Sequence, residues 1–272
     1  MKARTPYRHS TRFSMVATPA SRAIVAPSML SCDLSNLCRD SQLMLDFGAD
    51  WLHMDVMDGH FVPNLTFGPP VIAGIRNSLP DVYLDCHMMV TNPAKWVEPM
   101  SKAGCSCYNF HYESEMPEGG HKALIQTIKD AGMKVAMTLK PTTPVDVLFP
   151  FLDDLDMVMI MTVMPGFSGQ KFMADQMPKI DAIRSRAPLL DIQVDGGVSP
   201  KTVDQCTKAG ANVIVAASAI WGSDDRAGVI KILRDSVLSH GKGCIPFEHG
   251  RDCIPAPADR KALSTVMESR TS

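Results

Sequence analysis

The chain has 272 residues, 45% of them hydrophobic, and a formal net charge of −2. A balance so close to neutral supplies no field to gather a polyanion, which argues against nucleic acid or an acidic membrane as partner and favours a small substrate. No run of about 18 apolar residues occurs, so no membrane-spanning helix is expected. The cysteines (Cys32, Cys38, Cys86, Cys105, Cys107, Cys206, Cys244 and Cys253) are scattered without a C-x-x-C pair. This is the usage of reduced core thiols in a reducing compartment.

From Met1 to Cys32 there is no acidic residue, while Lys2, Arg4, Arg8, Arg12 and Arg22 accompany several Ser and Thr. Two readings stay open for residues 1–22: an organelle transit peptide, which has this composition, or a disordered tail, with Met15 a candidate start. Short apolar runs then alternate with segments of helical period. Strands are predicted at Ala23–Pro27, Trp51–Val56, Val82–His87, Cys105–His111, Lys134–Leu139, Met157–Met161, Asp191–Val194 and Asn212–Ala216. Between them, Ser35–Phe47 carries Leu37, Leu43, Leu45 and Phe47 and stops at Gly48. Pro93–Ala103 opens on proline and stops at Gly104, and a third helix opens at Ser199-Pro200 and stops at Gly210. Proline in the first turn and glycine past the end are helix boundary signals. Residues 239–272 are rich in Gly, Pro and charge and are expected to pack poorly.

Eight strands alternating with helices imply parallel pairing through right-handed crossovers. The predicted fold is therefore a (β/α)₈ barrel over residues 23–238. Its competitor is an open doubly wound sheet, against which stands the absence of G-x-G-x-x-G after the first strand. Chemistry in such barrels sits at the C-terminal ends of the strands. Polar residues collect there. In "LHMDVMDGH", His53 and Asp55 lie two apart and share a face of the second strand. His87 ends the third strand and Asp195 the seventh. Two imidazoles and two carboxylates suit Zn²⁺, Fe²⁺, Mn²⁺ or Co²⁺. Met57, Met89 and Met161 also cluster near strand ends, either as core filler or as an apolar wall that keeps water from a reactive intermediate. Asp58 and His60 fall in the loop beyond the second strand, where Asp58 is expected to cap local backbone.

Two loops suit an anion. "TVMPGFSGQ" brings Gly166, Phe167, Ser168 and Gly169 after the sixth strand. "DGGVSPKT" brings Gly196 and Gly197 after the seventh, and Ala217 and Ser218 follow the eighth. Loops after strands 7 and 8 are common phosphate sites in barrels. Apart from Lys171 and Lys201 no cation lies in these loops, so backbone N–H dipoles would dominate.

The stretches "APSML", "LHMDVMDGHFVPNLTFG", "DCHMMV", "MTVMPGFSGQKF", "VDGGV" and "GANVIVAASAI" resemble, in order, the ribulose-phosphate 3-epimerase family. The match runs from about Ile24 to Val237, and "HMMV" and "TFG" are nearest the eukaryotic cytosolic form. The resemblance implies a ribulose-phosphate-binding barrel that interconverts D-ribulose 5-phosphate and D-xylulose 5-phosphate through a metal-stabilised 2,3-enediolate, as in the pentose phosphate pathway. Asp55 and Asp195 would be the acid/base pair. His53, Asp55, His87 and Asp195 would hold one divalent metal ion. Ser28, His87 and the glycine loops would contact substrate, and the protein would be a cytoplasmic homodimer, with an organelle as the alternative location. Three positions depart from the family pattern: Ser168 and Ala217 stand where glycine is usual, and Met164 replaces a commonly polar residue. Ala217 matters most if its φ must be positive. The rival functions are epimerisation of a related ketose phosphate such as a hexulose 6-phosphate, a lysine-dependent aldolase or decarboxylase with Lys140 the candidate lysine, and non-catalytic sugar-phosphate binding.

Overall fold

The computed structural model describes residues 22–241. Of the extensions expected at 1–22 and 239–272, residues 1–21 and 242–272 lie outside the described residues, as do Cys244 and Cys253. Arg22 is described and pairs with Asp191 at 3.1 Å.

The eight predicted strands are present, most within a residue or two of their expected bounds: β1 Ile24–Pro27, β2 Trp51–Met57, β3 Tyr83–Met89, β4 Cys107–His111, β5 Lys134–Leu139, β6 Met157–Met161, β7 Asp191–Asp195 and β8 Val213–Ala216. All pair in parallel, in the order β1-β8-β7-β6-β5-β4-β3-β2. A single parallel bridge, Ser28 to His53, and the bond from Asp50 N–H to Val25 C=O at 3.0 Å bring β1 beside β2 and close the ring. The strands are rich in Val, Ile and Met and are buried on both faces, as parallel strands covered by helices must be.

The helices that cover the barrel are α1 Leu37–Asp46, α2 Pro69–Ser78, α3 Val97–Ala103, α4 Gly120–Asp130, α5 Met177–Arg186, α6 Val203–Ala209, α7 Ser218–Trp221 and α8 Arg226–His240. The expected stop at Gly104 is realised: that residue caps α3 in the left-handed conformation, φ 88°, which glycine adopts without a Cβ penalty. Between β5 and β6 the chain makes a 3₁₀ run, Val145–Asp154, with Pro150 inside. Proline cannot supply the N–H that an α-helical turn needs there. Six described cysteines carry free thiols. No helix among the described residues is long and apolar enough to cross a membrane.

Side chains alternate along each strand between the outer layer under the helices and the barrel interior. Ile24, Trp51, Cys107, Ala136, Met157 and Val213 pack together with Tyr83 in the interior near the strand N-termini. Two and four residues further along β2 and β3, the same faces carry His53, Asp55, Asp85 and His87.

Candidate active site and metal centre

The register of β2 and β3 sets the site. His53 lies opposite Asp85, and Asp55 opposite His87. Asp195 ends β7, beside Met161 of β6. His53, Asp55, His87 and Asp195 converge so that one ligand atom from each lies within 4.8 Å of the others. His53 Nε2 is 3.4 Å from Asp55 Oδ1 and 3.9 Å from Asp195 Oδ2. His87 Nδ1 is 3.1 Å from Asp55 Oδ1 and 3.7 Å from Asp195 Oδ2. The four residues expected at three strand ends therefore meet at one point.

Several residues that orient this group were not singled out in the sequence. Asp85 Oδ2 lies 2.7 Å from His53 Nδ1 and also accepts from Gln193 Nε2 at 2.6 Å. Gln193 Oε1 in turn accepts from Asn109 Nδ2, whose own Oδ1 takes the Thr138 hydroxyl. With Nδ1 protonated toward Asp85, the remaining nitrogen of His53, Nε2, is a bare lone pair. It is buried and has no hydrogen-bond partner. A buried acceptor without a partner costs about 1–3 kcal/mol, and a cation seated among the carboxylates would remove that cost. The donor set, two imidazole nitrogens and two carboxylates, with a carboxylate behind one imidazole, fits a divalent metal ion.

The electrostatics agree. Burial opposes a charge on His53, but Asp55 and Asp85 outweigh it and draw its pKa well above the ordinary 6.5, so the same carboxylates that favour a metal ion at Nε2 favour a proton there when no ion is bound. Burial would raise Asp55, yet attraction to His53 and His87 holds it well below the usual carboxylate range. Burial pushes Asp195 up to about 6, with Asp55 adding to the rise and His53 opposing it. Two adjacent carboxylates with displaced pKa values form the pattern of an acid/base pair. The Ser28 hydroxyl donates to Asp55 Oδ2 at 2.6 Å, and its carbonyl is held by Trp221 Nε1 at 2.8 Å.

Asp55 and Asp195 open onto a pocket of about 520 Å³ that is continuous with solvent. Its walls include Ser28, Met57, Met89 and Met161, and the loop residues Gly166, Phe167, Ser168, Gly169, Gly196, Gly197, Ala217 and Ser218. All the methionines named from the sequence as a candidate wall are buried yet reach it. Met164 also lines it and is exposed. Glycine is required at 196 and 197. Their φ values are +115° and +66°, and an added Cβ would fall 2.3 Å from Val163 Cγ2 and 2.7 Å from Phe172 N. At Ala217 φ is −112°, so the positive φ that would call for glycine does not occur there.

The loop after β2 behaves as its aspartate suggested. Asp58 Oδ1 accepts from the N–H of His60 and Phe61, both at 2.8 Å, and Oδ2 from the N–H of Thr91 at 2.7 Å. Asn64 Nδ2 in the same loop reaches the Gly166 carbonyl at 3.1 Å, tying it to the loop after β6. Lys140 places its Nζ over the Phe61 ring, 3.7 Å from the centroid.

Fold and site define a (β/α)₈-barrel enzyme with a carboxylate–imidazole centre at the C-terminal ends of its strands. Residues 24–221 match the model of the ribulose-phosphate 3-epimerase family. The chain is 51% identical over 221 residues to the cytoplasmic isoform of ribulose-phosphate 3-epimerase from Oryza sativa subsp. japonica, covering 80% of this chain and 96% of that one. It is 46% identical over 226 residues to ribulose-phosphate 3-epimerase from Eremothecium gossypii, covering 79% and 93%. Among solved structures, 3-keto-L-gulonate-6-phosphate decarboxylase from Vibrio cholerae superposes with a TM-score of 0.61 at 13% identity, over 81% of this chain and 99% of that one. That likeness concerns the fold. The chain belongs to the ribulose-phosphate 3-epimerase family.

Proposed function

We propose that this chain epimerises C3 of D-ribulose 5-phosphate to D-xylulose 5-phosphate. The observation that carries the reading is the pair Asp55 and Asp195, on different strands, opening onto one pocket with two imidazoles beside them in a chain of this family. The hydrogen on C3 is acidified by the C2 ketone. Inverting the centre requires its removal from one face and the return of a proton to the other, which one base cannot readily do. Asp55, held ionised by its histidines, is suited to take the proton. Asp195, with its carboxyl raised, is suited to deliver one from the opposite side. The roles exchange in the reverse direction.

His53, Asp55, His87 and Asp195 would hold one divalent ion (Fe²⁺, Zn²⁺, Mn²⁺ or Co²⁺), which when bound stabilises the negative oxygens of a 2,3-enediolate. Met57, Met89 and Met161 would exclude water from that intermediate. Ser28 would contact the sugar, and the backbone of the loops around Gly166, Ser168, Gly169, Gly196, Gly197 and Ser218 would take the phosphate. We also read the protein as a cytoplasmic homodimer. The name of the rice relative supports the location, and size-exclusion chromatography checks the assembly.

The test is a coupled assay of D-ribulose 5-phosphate conversion before and after chelation, with metal content measured on the same sample. Conversion that is lost on chelation and restored by one ion per chain is expected. No conversion overturns the substrate, and full activity in metal-free protein overturns the metal.

A further inference from the structure

Behind the second histidine of the site, His87 Nε2 lies 2.8 Å from His111 Nε2, and His111 Nδ1 lies 3.2 Å from Glu113 Oε2. The other oxygen of Glu113 accepts from the Lys140 N–H at 2.8 Å and from the Thr143 hydroxyl. The His87 and His111 rings are fully buried and stacked, with centroids 5.0 Å apart. We propose that His111, itself held by Glu113, is a positioning residue that decides which nitrogen of His87 faces Asp55 and Asp195. The proposal rests on the metal reading above.

Proton counting fixes the two tautomers. When two imidazole nitrogens sit at hydrogen-bond distance, one donates and the other accepts. Glu113 already accepts two donors on Oε1, as an ionised carboxylate does, so its Oε2 is an acceptor and the proton shared with His111 sits on His111 Nδ1. A buried imidazole beside a second imidazole is most stable with one proton, which leaves His111 Nε2 bare. His87 Nε2 must then carry its proton and donate it. His87 Nδ1 is left as an open lone pair 3.1 Å from one carboxylate oxygen and 3.7 Å from another. Lone pairs facing each other at these distances call for a cation between them. Each histidine of the centre is thus set by its own outer partner. Asp85 exposes Nε2 of His53, and the chain Glu113–His111 exposes Nδ1 of His87. The opposite tautomer would place a proton where the ion should sit.

The experiment compares Co²⁺ binding by the full-length protein and its variants, by chelator competition and by the visible Co²⁺ spectrum, alongside the melting temperature of the metal-free form. Outer partners of metal-bound histidines are worth about 10–100-fold in metal affinity. His111→Phe keeps the ring but removes the acceptor, and is expected to weaken Co²⁺ binding within that range and alter the spectrum. His111→Gln restores an acceptor oxygen and should recover most of the loss. Glu113→Gln, on a partly exposed residue, should weaken binding in the same direction to a smaller degree, and serves if His111→Phe does not fold. Wild-type affinity and spectrum in His111→Phe, or in Glu113→Gln where that variant serves, overturn the proposal, as does His111→Gln binding no better than His111→Phe. Wild-type protein that takes up no Co²⁺ instead overturns the metal reading, and this proposal with it.

Discussion

At the N-terminal end of the barrel interior, Trp51 and Tyr83 face each other across β2 and β3 and their rings stack with centroids 4.3 Å apart. Four residues further along the same strands, on the same face, the facing pair is Asp55 and His87. The first pair belongs to a cluster of aromatic and aliphatic side chains. The second is surrounded by carboxylates and imidazoles, among which the buried Nε2 of His53 has no hydrogen-bond partner. One strand thus builds the plug of the barrel and its reactive centre from a single period-2 face. The contrast teaches that stability and chemistry are segregated along the barrel axis, so substitutions at the two ends should have separable consequences.

The largest effect expected at the reactive end is on turnover. Asp195→Asn should lower kcat at least about 10²-fold, the scale of acid/base catalysis, with a melting temperature in the metal-free state close to that of the parent; steady-state kinetics and calorimetry check both. At the other end, Trp51→Ala removes a buried indole and should cost about 3–5 kcal/mol of stability, read by urea denaturation, while the kcat of the remaining folded protein stays within about two-fold. A large kcat loss in Trp51→Ala would break the segregation.

A smaller effect is expected in the loop after β2. Partial burial would raise the Asp58 carboxyl, but the N–H groups of Thr91, Phe61 and His60 outweigh it and hold it below its ordinary value. A carboxyl depressed on folding stabilises the fold above its unfolded pKa, about 3.9, and that contribution is lost as pH falls further, toward the folded value. Asp58→Ala should therefore cost about 1–3 kcal/mol at pH 7, and the gap from wild type should narrow as pH falls below about 4. Denaturation at a series of pH values reads this directly. Smallest of all, Ser168→Gly, at an exposed lining position, should shift KM by no more than about three-fold and leave kcat unchanged, since it touches binding common to ground and transition states.

The same geometry explains which parts were legible in the sequence. Strand alternation is a local property, so the pairing of His53 with Asp55 on one face could be read directly, and strand ends gave His87 and Asp195. Asp58 was also readable, because an aspartate capping the next few N–H groups is a local motif. Asp85, His111, Glu113 and Gln193 were not recognised. Their roles depend on strand register and on which side chain lies across the barrel, as with Gln193 reaching Asp85 from β7. A signal did exist: Asp85 lies two before His87, and Asn109 two before His111, the spacing that made His53 and Asp55 stand out. The fourth strand was expected to begin at Cys105 but begins at Cys107. The 3₁₀ run at Val145–Asp154 was not anticipated, since its apolar residues show neither strand nor helix period clearly.

The most direct measurement of the central claim follows hydrogen at C3 in D₂O. Asp195→Asn, incubated with each pentulose phosphate in turn and monitored by NMR, should exchange the C3 hydrogen of one epimer for deuterium while producing almost none of the other, because a single remaining carboxylate can take and return a proton only on its own face. Interconversion of the two epimers by that variant near the wild-type rate would contradict the two-carboxylate account.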